Sequence, residues 1–147
     1  MQAREAVVAV VREWLEKAEG DLLTASHTLK LARRCPTDAV CFHAQQCAEK
    51  YVKALLVLYQ IDFPKTHDLE ALAARLRGGR KPELGPDDLA RLKRYATVTR
   101  YPGAEAIPLS DARKAVAAAR RVRKAIRALL PRRALRARKS KRSQREK

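Results

Sequence analysis

The chain has 147 residues, 33 basic against 16 acidic side chains, and a formal charge of +17. That length suits one domain with its own core. No apolar run approaches the roughly 20 residues of a membrane span, no secretory leader is recognisable at Met1–Glu5, and the odd set Cys35, Cys41 and Cys47 offers no disulfide framework, so a cytoplasmic protein with reduced packing thiols is expected.

Ala, Leu, Arg, Lys and Glu dominate, with only 5 Gly and 5% aromatics, which is the composition of helices. The first predicted helix carries a seam of Val8, Val11, Leu15, Ala18, Leu22, Ala25, Leu29 and Ala32 in steps of three and four. Gly20 interrupts it at a cost of about 1 kcal/mol, and Pro36 ends the run. Thr37 is the expected cap of a second helix whose apolar positions include Val40, Ala44, Cys47, Ala48, Tyr51, Leu55 and Tyr59. Further apolar residues around its circumference predict a central position in the fold. Thr66 caps a short third helix, His67 to Leu76. Pro86 opens a fourth with Asp87 and Asp88 in its first turn, and Leu89, Leu92 and Tyr95 give it an apolar face. Ser110 caps a fifth, with a stripe of Ala112, Ala115, Val116, Ala119, Val122, Ile126 and Leu129. No strand pattern occurs.

Charge is uneven. Residues 110–147 hold 16 basic and 2 acidic side chains, and 131–147 alone hold nine basic and one acidic. Such a segment attracts phosphate backbones with strong salt dependence, and the tail has no aromatic residue for base stacking. Arg120, Lys124, Arg127, Arg132 and Arg133 are its candidate contacts, the alternative being a merely solvated face. Residues 131–147 are expected to be mobile or a frayed helical extension, and too apolar-poor for a membrane role.

The second helix has the most unusual polar pattern. His43, Gln46, Lys50 and Lys53 form one stripe, flanked by Gln45 and Glu49, with Glu49 and Lys53 spaced as an i, i+4 pair. The stripe is either a solvent-facing edge or a groove in which Lys and His meet a phosphate. Asp21 has the same two readings, a structural partner for a Lys or His of helix two, or a ligand contact. His67 serves as part of a helix start or as a site residue. Arg100 and Tyr101 suit either phosphate binding with base stacking or packing and a salt bridge. His43 and Cys47 share a face, with Cys41 near, but no second cluster completes a metal site.

The string from Phe42 through His43, Gln45, Gln46, Glu49, Lys50 and Lys53 to Leu56 resembles the second-helix signature of HEPN domains. Trp14-Leu15, Lys17-Ala18 and Asp21-Leu22 resemble the first helix of that family, Thr66-His67-Asp68-Leu69 the start of its third, and Arg100-Tyr101-Pro102 the segment before its last, so the likeness spans residues 8–130. The resemblance implies an all-α antiparallel bundle of four long helices plus a short helix, commonly a homodimer. It also implies a minimal nucleotidyltransferase partner, often in a toxin–antitoxin pair. Many HEPN domains are metal-independent ribonucleases in which Arg is followed after four to six residues by His. Here the positions that would hold Arg before His27, His43 and His67 read Gly-Asp-Leu, Pro-Thr-Asp and Gln-Ile-Asp, and no His follows Arg100. Cleavage by that route is not expected.

The expectation is therefore a bundle over residues 1–130 and a basic tail over 131–147, needing no metal or cofactor. It binds nucleotide or nucleic-acid phosphate through His43, Lys50, Lys53, His67, Arg100 and Tyr101. The alternatives are a ribonuclease with a non-standard site around Arg100 and Tyr101, or a structural interaction module.

Overall fold

A computed structural model describes residues 2–97 and 101–136. Six α-helices follow in order: α1 (Gln2–Leu29), α2 (Thr37–Leu58), α3 (Leu69–Ala73), α4 (Pro86–Lys93), α5 (Leu109–Arg127) and α6 (Arg132–Leu135). No strand occurs among the described residues.

The expected seams are the core. Val8, Val11, Leu15, Ala18, Leu22 and Ala25 of α1 are buried, as are Ala112, Ala115, Val116, Ala119, Val122 and Ile126 of α5. Between them lies α2, which touches α1, α3, α4 and α5. Its apolar circumference is used on every side, from Val40 and Ala44 to Tyr51 and Leu56.

Side-chain pairs fix the helix directions. Asp21 of α1 meets His43 and Lys50, and Glu19 meets Tyr51, so α1 and α2 run antiparallel. Asp88 meets Arg121 near the start of α4, whereas Tyr95 beyond its end lies near Asp111, so α4 and α5 are antiparallel too. The fourth helix is shorter than a bundle of four long helices would have it. Pro86 starts it and the helix closes at Lys93, but Leu92 and Tyr95 still bury the expected face.

Several termini differ from the expectation. Thr37 does not cap α2; its hydroxyl donates to the carbonyl of Ile107 at 2.7 Å, tying the start of α2 to the segment before α5. Asp68, not Thr66, caps α3 by accepting from the Ala71 N–H. Pro108 precedes α5, and Ser110 lies inside it without capping. The first helix stops before Ala32, which sits at φ +50° in the left-handed region. At the end of α2, Gln60 takes the left-handed turn at φ +55°, and the Ile61 N–H closes it by donating to the Leu56 carbonyl.

The basic segment begins as packed structure. Ala134 is buried, Leu135 packs on the core, and Arg12 of α1 donates from Nε to the Arg133 carbonyl at 2.7 Å. A neutral carbonyl and two apolar side chains thus hold α6 on α1, features that the net charge of the tail conceals. Residues 137–147 lie outside the described residues. No helix among the described residues is long and apolar enough to cross a membrane.

Candidate functional site

The polar stripe of α2 resolves into two carboxylate centres, one half-buried at Asp21 and one buried at Glu49. Asp21 accepts from His43 Nδ1 at 2.8 Å and from Lys50, whose ammonium lies against its other oxygen. Glu49, itself 3% exposed, accepts from Lys53 at 2.7 Å, Gln45 at 2.8 Å and Gln46 at 3.2 Å. His67 completes that shell, its Nδ1 lying 3.0 Å from one carboxylate oxygen and 3.2 Å from the other. An ionised carboxylate only accepts, so both imidazole Nδ1 atoms carry the hydrogen.

Burial alone would raise the Glu49 carboxyl, but hydrogen bonds from Lys53 and Gln45 and the nearby positive charge hold it below the ordinary range. Lys53 also lies over the Trp14 and Phe63 rings, at 5.7 and 5.8 Å. Each lysine of the stripe is therefore matched by a carboxylate, and the stripe is a neutralised network rather than an open row of cations.

A groove of about 450 Å³ opens beside this network, lined by Phe42, Gln46, His67, Ala96, Thr97 and Tyr101. Three elements build it: the outer edge of α2, the turn into α3 and the segment after α4. His67 and Tyr101 come together here although 34 positions separate them in the sequence, and both are exposed, Tyr101 at 69%. His43, Lys50 and Lys53 do not line it. Arg100 lies outside the described residues.

Of the residues expected on the basic face, Arg120 donates to Ser26 Oγ at 2.9 Å, and Arg127 donates to the Tyr51 hydroxyl at 3.3 Å. Lys124, Arg132 and Arg133 are exposed. Cys41 and Cys47 are buried, and burial pushes both thiols up to about 12. Among the described residues no three His, Cys, Asp or Glu side chains gather as a metal site.

Sequence reasoning missed Glu49 as the hub, and Phe42, Ala96 and Thr97 as groove walls. The i, i+4 spacing signalled Lys53 as a partner of Glu49, but no periodicity links Glu49 to a histidine on a later turn.

The HEPN domain profile matches residues 11–129. The chain belongs to the HEPN domain family. This HEPN domain is similar to the crystal structure of TT1696 from Thermus thermophilus, with 27% identity, 82% of this chain and 98% of that chain covered, and a TM-score of 0.68. It is likewise similar to ST0689, an archaeal HEPN homologue, with 25% identity, 81% and 96% coverage, and a TM-score of 0.61. No curated protein matches the HEPN domain studied.

Proposed function

We propose that this HEPN domain is a non-catalytic binding module that takes a nucleotide in the groove between α2 and the segment after α4. One observation carries the reading: His67, Tyr101, Gln46 and Phe42 line the same groove. An exposed tyrosine supplies a flat surface for a base, and the Gln46 amide oxygen and His67 Nε2 supply directional hydrogen bonds to a base edge. The basic face of α5 and the tail add salt-sensitive attraction for RNA or DNA. A minimal nucleotidyltransferase is the expected partner, in a toxin–antitoxin-like pair, with a second copy of the chain completing a homodimer.

Calorimetric titration with ATP and GTP tests the groove. Binding should weaken about fivefold or more in Tyr101→Ala, since loss of one stacking platform is worth about 1–3 kcal/mol, and by a smaller factor in Gln46→Ala, which removes a groove-wall amide. Wild-type affinity in both variants would refute the groove. Copurification with a small nucleotidyltransferase tests the partner.

One observation favours a second reading, metal-independent RNA cleavage. Glu49 holds the His67 Nδ1 hydrogen, which leaves Nε2 as the basic nitrogen beside Tyr101. Cleavage of labelled RNA in chelator, lost in His67→Ala, would establish this reading over the first.

A further inference from the structure

Glu19 of α1 is the meeting point of three donors from two other helices. The Tyr51 hydroxyl and Arg123 Nε both donate to Oε1, the latter at 2.6 Å, and Arg127 Nη1 stands 3.9 Å away. The Arg123 guanidinium and the Tyr51 hydroxyl donate to one oxygen while Arg127, which donates to that hydroxyl, adds a second positive charge beside it, a donor set suited to a tetrahedral oxyanion. Two carboxylates do not balance the four arginines around them. A groove of about 300 Å³ is lined by Arg12, Arg123, Arg127 and Arg136 against Glu16 and Glu19. Arg12 is bonded to a neutral carbonyl, and Arg136 forms no ion pair among the described residues. The Glu19 side chain is 40% exposed, whereas Leu15, Ala18 and Leu22 hold α1 in the core, so Glu19 can swing away without opening the bundle.

We propose that the groove between α1, α5 and α6 binds a phosphate-class anion, with Glu19 as an internal occupant that the ligand displaces. A group with two or more negative charges is required, because a single carboxylate would only replace what Glu19 already provides. A nucleoside diphosphate or the 5′-phosphate of an RNA meets that chemistry; an internal phosphodiester, with one negative charge, does not. The proposal rests on the reading that this domain binds phosphate, but it uses none of the residues that line the Tyr101 groove.

The full-length protein is titrated with inorganic pyrophosphate by calorimetry. Glu19→Gln should bind roughly tenfold more tightly than wild type, and Arg123→Gln roughly tenfold more weakly. Arg123→Lys, which keeps charge but loses the fork, should fall between them. Melting curves of all three confirm that the fold is intact. Titration with RNA carrying a 5′-phosphate or a 5′-hydroxyl separates the sources. A preference for the phosphorylated end that disappears in Arg123→Gln assigns terminal phosphate of RNA; equal binding of both ends excludes RNA as the source and leaves a free nucleoside diphosphate. The nucleotide groove is read by loss of ATP or GTP affinity in Tyr101→Ala and this site by pyrophosphate affinity in Glu19→Gln and Arg123→Gln, so failure of the one and failure of the other are distinguishable. Wild-type pyrophosphate affinity in both Glu19→Gln and Arg123→Gln would overturn the proposal and assign any binding to diffuse attraction.

Discussion

His67 Nδ1 lies 3.0 Å from Glu49 Oε1, joining the turn before α3 to the buried side of α2. Glu49 thereby couples the core to the groove wall. It also carries four side-chain donors, so its loss strands Lys53 and Gln45 as well as His67. Glu49→Ala should cost about 3–5 kcal/mol in urea unfolding, the usual effect of leaving a buried charge unpaired. Glu49→Gln, which keeps the shape and one acceptor, should cost clearly less. Equal, small losses in both variants would mean that the hub contributes little.

Acid should reveal the same centre. The Glu49 and Glu19 carboxyls are both held below the usual range: burial opposes this in each case, but Lys53 and Gln45 prevail at Glu49, and Arg123 and Tyr51 at Glu19. A depressed carboxyl contributes stability that is fully present above its unfolded pKa and is lost as pH falls through the folded value. The urea midpoint should stay level from neutral pH to about 5 and decline below about 4. Glu49→Gln should flatten that decline relative to wild type. Parallel acid limbs in the two proteins would remove Glu49 from the account.

Much of this architecture can be read from the residues, and the limits of that reading have physical causes. The seams of α1 and α5 are legible because a buried helix face repeats every three or four residues, and Val11, Leu22, Val122 and Ile126 keep that period. Helix starts were less legible. Thr37 has the right chemistry to cap α2, but its hydroxyl finds the Ile107 carbonyl instead, a partner 70 residues away. The candidate site was legible by residue type more than by grouping. The Glu49–Lys53 pair was legible from its i, i+4 spacing, whereas the pairing of Asp21 with both His43 and Lys50 was only one of two readings, because helix packing and side-chain rotamer decide it. His67 and Tyr101 read as unrelated because only the folded chain brings two loops to one edge of α2.

Gly20 lies inside α1 with open space where a Cβ would stand, and its backbone is not in the left-handed region. Gly20→Ala should therefore raise stability by about 1 kcal/mol by reducing the freedom of the unfolded chain. That corresponds to a Tm increase of about 2–4 °C for a chain of this size. A decrease would show that close approach of another surface uses this position.

The three cysteines should differ in reactivity. Cys41 and Cys47 are buried with thiols pushed to about 12, and Cys35 is half-buried. Burial and the nearby Asp38 also raise the Cys35 thiol, so a thiol reagent at pH 8 should modify Cys35 of the native protein first and slowly, and the other two only under unfolding conditions. Rapid modification of all three would show that α2 opens on the timescale of labelling.

The bond from Thr37 to Ile107 gives the aromatic ring at position 101 a leash of fixed length. Five residues separate the ring from that anchor, and a turn in which the Ala104 N–H donates to the Tyr101 carbonyl shortens the span further. An extended chain gains about 3.3–3.6 Å per residue. Each residue added or removed between Pro102 and Ala106 would therefore move the limit of the ring's travel by that increment, resizing the cleft while the bundle beneath keeps its packing.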